Sequence, residues 1–399
     1  QIRSQLALTL IRLLEPGEAM KGLAEVTVRS ARQRKTVTWR QTASPVESTR
    51  RGVTVIERAI RVSEFGWPEA RQRIQPPKEV EFQRTFAFPE EFAGERIPGY
   101  FRRGTRFRMG VSVRLSGGKL STAEPGLFYY PIGIPGLHTG LPVSVSAPFK
   151  LQGDRTQITT HPWNTWLMNQ AGHFAADLLV GDLVARFGVD SYALGRVLAT
   201  PEHAEFTDTF RQRLKTDECW PSARNVGRSQ RPQLVRADQA TLPDNPRLEG
   251  LLSAGQYLAA SLRDSAVART VAKESGAKPF TLNSAVRLAC PKGAKLAIGK
   301  ARDDEADYHY TNYEEQLSQV GTARSLAQCF SDESSRLTEA HRRDLKQHWR
   351  CPADDGSLRP AGELWLLPVE LAEEPIVPAG SRLHRQLTDL SVFRHVCRP

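Results

Sequence analysis

EVEFQRTFAF (residues 79–88) and RFRMGVSVRL (residues 106–115) decide the fold class. Both alternate apolar and polar residues with a period of two and are rich in β-branched and aromatic side chains, the pattern of strands with one face turned to a core. Working outward, LAEVTVR (23–29), KTVTWRQT (35–42) and GVTVIERAIRV (52–62) repeat it between Gly, Pro or basic loops, and SGGK (116–119) is a turn. Strands with one polar face imply a mainly antiparallel sheet covered on one side. Ahead of them Ile2, Leu6, Leu10 and Leu13 share one helical face, and Pro16-Gly17 ends that helix.

Downstream, residues 126–155 are too rich in Gly and Pro for a helix but hold two strand-like runs, LFYYPI and LPVSVSAPF, joined by a turn-rich loop. After Pro162 a long helical pattern runs over 163–187, with Trp163, Leu167, Phe174 and Leu178 near one face and Gly188 as its stop. Beyond residue 200 the spacing predicts helices at 203–214, 246–263, 264–275, 311–329 and 336–349. The polar stretch 222–246 reads as a linker or long surface loop, and FTLNSAVRLAC (280–290) fits either a strand or a helix end. The expected organisation is α+β: a mainly antiparallel sheet domain over 1–200, a linker or surface loop over 201–245, and a helix-rich region over 246–399.

A chain of 399 residues with 40% hydrophobic residues can bury ordinary cores and is not a disordered composition. The five cysteines have no CxxC pair and no Cys/His pair at ligand spacing, which argues against structural zinc and a disulfide scaffold and for reduced thiols in a cytoplasmic protein. No apolar run approaches the roughly 18 residues that cross a bilayer, and the opening residues alternate charge with leucine, unlike a signal peptide. The start at Gln1 and the stop just after SVFRHVC are read as the ends of a piece of a longer polypeptide.

The net charge of +11 is uneven: residues 1–120 hold 23 Lys/Arg against 12 Asp/Glu, and residues 121–399 hold 32 of each. RSARQRK (29–35) and FRRGTRFR (101–108) suit a polyanion, either nucleic acid or a nucleotide phosphate held by a neighbouring domain; they equally suit the arginine protection of a strand edge. On the nucleic-acid alternative, a non-enzymatic module would use the basic 29–108 region with Trp39, Phe101 and Phe107 as stacking surfaces.

GxxxxGK[ST], HExxH, GxSxG and a GxGxxG after a strand are all absent. Asp303-Asp304-Glu305 and Asp354-Asp355 sit in polar turns, and neither His161 nor His173 has a neighbour at ligand spacing, so no metal site is expected. One polar tip stands apart. FKLQGDRTQI (149–158) places Lys150, Asp154 and Arg155 at the end of an apolar strand and ahead of a helix. A guanidinium there can fork onto phosphate oxygens, or it can pair with Asp154 or a helix end.

The run GLFYYPIGIP, TGLPVSVSAPFKLQGDRTQI and PWNTWLMNQAGHFAADLL resembles the segment that follows the ATP-binding lobe in sacsin and its bacterial relatives, over about 60 residues; KPFTLNSAVRLAC and YHYTNYEEQL resemble later pieces more weakly. The resemblance implies a GHKL-type ATPase, the class of gyrase, histidine kinases and the large heat-shock chaperone. In that class an N-terminal lobe binds ATP with Mg through an ExxxN helix and a DxGxG loop, and the following transducer domain points a basic residue at the γ-phosphate. Arg155 matches that position, as catalytic and nucleotide-contacting residue, with Lys150 as the second choice. The resemblance makes the ATP-binding lobe of the same protein the expected partner, with a protein client beyond it. Neither ExxxN ahead of a DxGxG loop nor DxGxG itself occurs in residues 1–399, so the chain lacks the motifs for building that site alone.

Overall fold

The computed structural model describes residues 25–30, 35–46, 52–65, 78–99, 101–130, 133–153, 157–226, 231–249, 251–252, 254–290, 319–367 and 377–398. The predicted helix over 2–14 lies outside the described residues. The chain is α+β and divides into two compact units, Gln1–Thr216 and Asp217–Pro399.

The first unit is built on a ten-stranded sheet. Its long strands are β1 (Glu25–Ser30), β2 (Lys35–Val46), β3 (Val53–Phe65), β4 (Lys78–Ala87) and β6 (Arg106–Ser116). Two-residue pieces, β5 (Arg102–Arg103) and β7 (Lys119–Leu120), pair with β6, and β8 (Leu127–Tyr129), β9 (Gly133–His138) and β10 (Ser144–Ser146) complete the sheet. The order is β1-β2-β3-β4-β6-β10-β8-β9, antiparallel throughout except for the β8–β10 pair. The period-two pattern fixes which face is apolar. Val80 and Phe82 of β4 lie in register with Val113 and Val111 of β6, all at most 1% exposed.

That apolar face is covered by α1 (Pro162–Leu178), which starts on Pro162 with its helix-compatible φ and is capped by the His161 side chain accepting from Trp163 N. Phe174 meets Phe86 edge-on with centroids 5.9 Å apart, and Trp163 meets Phe107 at 5.4 Å. The predicted single helix over 163–187 is interrupted: a π turn at Leu179–Leu183 inserts an extra residue before the helix resumes over Val184–Phe187. On its far side α1 packs against α2 (Glu205–Thr216), so closely that a Cβ on Gly172 would come within 2.8 Å of Thr209 and 2.9 Å of the Phe206 carbonyl.

In the second unit the stretch expected to be a linker forms a hairpin of β11 (Trp220–Val226) and β12 (Arg231–Val235), then β13 (Thr241–Pro243), which pairs in parallel with β14 (Lys278–Phe280). Buried Trp220 and Val235 face one another in that hairpin and give a polar segment its apolar anchor. The predicted helix over 246–263 is instead two 3-10 turns and a short helix at Ala260–Asp264. Helices α3 (Ala266–Glu274), α4 (Leu282–Ala289), α5 (Val320–Asp332) and α6 (Glu339–His348) follow, and β15 (Arg350–Pro352) pairs with β16 (Leu358–Pro360). FTLNSAVRLAC therefore starts on a strand end and continues as a helix. The core gathers Val286, Leu326, Phe330, Leu345, Trp349 and Phe393, with Trp349 stacked on Phe393 at 5.2 Å.

All five cysteines are buried and unbridged. Burial pushes the thiols of Cys290, Cys329 and Cys397 up to about 12 and holds that of Cys351 well above its ordinary value, which removes thiolate chemistry at neutral pH.

Candidate functional site

The polar tip singled out in the sequence grows from β10. Residues 150–152 and 157–159 form the arms of a small hairpin: Leu151 bridges Ile158, Gln152 N donates to Gln157 O at 2.9 Å, and Thr159 N donates to Lys150 O at 2.9 Å. Arg155 falls between the arms and lies outside the described residues, as does Asp154.

Asn164, in the first turn of α1, locks the base of this hairpin. Its Oδ1 accepts from Lys150 N at 2.7 Å, and its Nδ2 donates to Lys150 O and Thr159 O, both at 2.8 Å. The side chain is 2% exposed, so one amide satisfies groups on both arms away from water. Trp163 fixes the same corner from below. Its Nε1 donates to Pro148 O at 2.9 Å, and its ring stacks on Phe88 at 5.7 Å and on Trp166 at 5.4 Å.

The Lys150 side chain is ion-paired at the base of the hairpin. Its Nζ pairs with Glu95 Oε2 at 2.5 Å and lies 3.3 Å from His161 Nε2. His161 Nδ1 accepts from Trp163 N at 3.1 Å, and its Nε2 lies 3.9 Å from Glu95 Oε1. The base of the hairpin is thus charge-balanced, and Lys150 has a structural partner that sequence reading missed. Nothing in the spacing marks Glu95 as that partner; Asn164 sat in a quoted motif without a role.

No family model, no curated protein and no solved structure matches this chain.

A second polar constellation lies toward the other end of α1, on the α1–α2 surface. Asp177 receives Arg84 Nη1 at 3.1 Å and Arg213 Nη2 at 3.3 Å, and Arg213 Nη1 lies 3.0 Å from His173 Nδ1, the acceptor nitrogen. Arg84 also stacks over Phe174, 4.5 Å from the ring centroid. Asn169, His173, Asp208, Thr209, Gln212 and Arg213 line a cleft of about 470 Å³ there. His173 is accordingly a satisfied side chain.

On the face of the sheet away from α1, Glu79, Glu81, Gln83, Ser112, Ser144 and Ser146 are all 7% exposed or less, and Gln83 Nε2 donates to Glu81 Oε1 at 3.1 Å. Arg114 joins them, 3.5 Å from Glu79 and 3.1 Å from Glu124. Glu81 reaches across Gly110, where a Cβ would come within 2.5 Å of its carboxylate. The expected polar face is therefore buried rather than solvated.

Of the three rings named as stacking surfaces, Phe101 (1% exposed) and Phe107 (0%) belong to the core and cannot stack on bases; the Trp39 side chain lies outside the described residues. Among the described residues no group of three or more His, Cys, Asp or Glu is gathered for a metal ion, and no helix is long and apolar enough to cross a membrane.

Proposed function

We propose that the first unit is the middle, transducer-like module of a cytoplasmic, sacsin-like GHKL ATPase, and that it presents Arg155 to a nucleotide held by an ATP-binding lobe of the same protein. The observation that carries this reading is the Asn164 clamp. A hairpin whose two arms are tied by one buried amide to the N-terminus of a core helix has a fixed base, and a fixed base is what a guanidinium aimed at a phosphate requires. The charge balance at the base supports Arg155 over Lys150 as the phosphate contact, since Lys150 already neutralises Glu95.

When bound, the nucleotide supplies the transferable phosphoryl group, with Mg held beside it in the lobe. This chain's part is to bring a guanidinium to the developing charge and, by engaging or releasing it, to shift the arrangement of the domains around a client, in a chaperone-like or defence-related role. In the protein that carries this chain together with that lobe, Arg155→Ala should lower kcat for ATP hydrolysis by about 10²-fold or more. Affinity for nucleotide should stay within about threefold, the signature of an interaction made in the transition state. Turnover equal to the parent would remove Arg155 from the mechanism.

A further inference from the structure

Residues 96–123 carry seven Lys/Arg and no Asp or Glu. The β5–β6 turn gathers three of them. Arg102, Arg103 and Arg106 flank Gly104 and Thr105, and all three side chains are exposed. Arg103 stands directly opposite Arg106 in the antiparallel pair, a like-charge arrangement that disfavours the hairpin. No carboxylate relieves it: among the described residues none of the three makes an ion pair, and the one side-chain hydrogen bond from this group is Arg102 Nε to Gly104 O at 3.1 Å.

The turn is also rigid. Gly104 closes it at φ +62°, in the left-handed region that glycine tolerates. Phe88 N donates to Thr105 O at 3.2 Å and Arg108 N to Phe101 O at 3.0 Å. Beneath it Phe107 packs among Phe86, Phe88, Trp163 and Trp166 with centroids 5.2 to 5.9 Å away. Three guanidinium groups without a carboxylate partner thus share one exposed turn whose backbone is tied to the core.

We infer that this turn is a contact for the phosphodiester backbone of a nucleic acid. Guanidinium forks match phosphate oxygens, and a preformed hairpin loses little entropy on engaging them. A membrane surface fits less well, because membrane-surface sites set Trp, Phe or Leu beside their cations. Here the sole exposed large hydrophobic side chain among the described residues is Val197. With Phe101 and Phe107 in the core, the contact is to the backbone and carries no base preference. The inference is independent of the ATPase reading and survives its failure.

The test is fluorescence anisotropy of the full chain with labelled single-stranded and duplex DNA and RNA of about 30 nucleotides, titrated from about 50 to 300 mM salt. The expected result is binding at low salt that weakens with a log–log slope of about 2 or more. The triple variant Arg102→Gln, Arg103→Gln, Arg106→Gln should bind at least about tenfold more weakly at low salt, with a slope smaller by about 2 to 3. Its thermal midpoint should equal or exceed the parent's, because a like-charge pair is removed. Equal affinity and slope for parent and triple variant would overturn the inference, as would no binding to either nucleic acid at low salt. Preferential binding to phosphatidylserine vesicles or to polyglutamate would overturn it in favour of a membrane or an acidic protein.

Discussion

Asn164 and Lys150 exchange two hydrogen bonds through one side chain: the carboxamide oxygen accepts from the Lys150 amide at 2.7 Å while the carboxamide nitrogen donates to the Lys150 carbonyl at 2.8 Å. The same nitrogen reaches Thr159 O, so α1 and both hairpin arms form one hydrogen-bonded corner. Asn164→Ala leaves the Lys150 amide without its acceptor and should cost about 1–3 kcal/mol. Asn164→Asp keeps the acceptor but turns a carboxylate toward two carbonyls, and should cost at least as much. Urea unfolding reads the loss, and amide exchange at residues 151–158 should accelerate selectively. An unchanged midpoint in Asn164→Ala would show that the corner is held by other contacts.

Gly126 runs against the backbone of the segment entering β10. A Cβ there would sit 2.1 Å from the Val143 carbonyl oxygen and 2.5 Å from Ser144 N. Both neighbours are backbone, so no rotamer change relieves the overlap. Gly126→Ala should destabilise the first unit by about 1–3 kcal/mol or more, seen as a lower denaturant midpoint. A fully stable variant would mean that the β8 and β10 strands can separate at little cost.

His341 sits at the third position of α6, where its Nδ1 accepts from Thr338 N at 3.2 Å while Thr338 Oγ1 accepts from His341 N, a capping box; its Nε2 meets Asn283 Oδ1 at 2.8 Å. Burial holds its pKa below the usual histidine value. A group with a depressed folded pKa that must charge on unfolding gives stability that is whole above about pH 6.5 and is lost as pH falls through the folded value. The second unit should therefore weaken below about pH 6.5. His341→Gln, which retains a capping-box side chain, should flatten that acid limb, and a limb of unchanged slope would assign it to other groups.

The thiols give the opposite limb. With folded values of about 12 against about 9 for the free group, Cys290, Cys329 and Cys397 stay protonated in the folded state while the unfolded chain ionises. Stability is whole below about pH 9 and falls as pH rises toward 12, by up to about 1.4 kcal/mol per pH unit for each thiol. Melting temperature against pH should decline over that window, and Cys329→Ala should decline less steeply. A thiol reagent at pH 8 should label none of the five cysteines before unfolding; rapid labelling of the native chain would contradict the burial.

The long strands were legible because Val80, Phe82, Phe107, Val111 and Val113 sit two apart between polar residues, a signal that local sequence carries whole. The same alternation contained the fate of Phe107, a ring that faces the core and cannot also line a surface; Phe101 lies outside that run, and its burial had no such signal. The parallel β8–β10 pair was not legible. It covers two residue pairs, and beside it the buried Thr139 hydroxyl donates to Val143 O at 2.6 Å, a contact with no periodicity to read. The hairpin at 220–235 was hidden for a related reason, since only Trp220 and Val235 bury themselves in an otherwise polar stretch. At the candidate site, the polar tip and the Trp-Asn pair quoted from the sequence lie in the two segments that the hydrogen bonds of Asn164 join. The Glu95 partnership of Lys150 joins residues 55 positions apart, which no local pattern announces.

The π turn at Leu179–Leu183 makes this fold sensitive to chain length at one spot. Each helical residue turns the chain by about 100°, so the extra residue sets the heading of everything that follows. Past it, Arg186 pairs with Glu57 on β3, and Ser191 Oγ returns to Leu183 O at 2.9 Å. Excising a single residue between Leu179 and Leu183 would let the backbone relax into an unbroken α-helix and swing Arg186 off the sheet by about a quarter turn. A gap of one at this place in any related sequence would accordingly be a change of architecture, whereas the same gap in a surface turn would leave the sheet untouched.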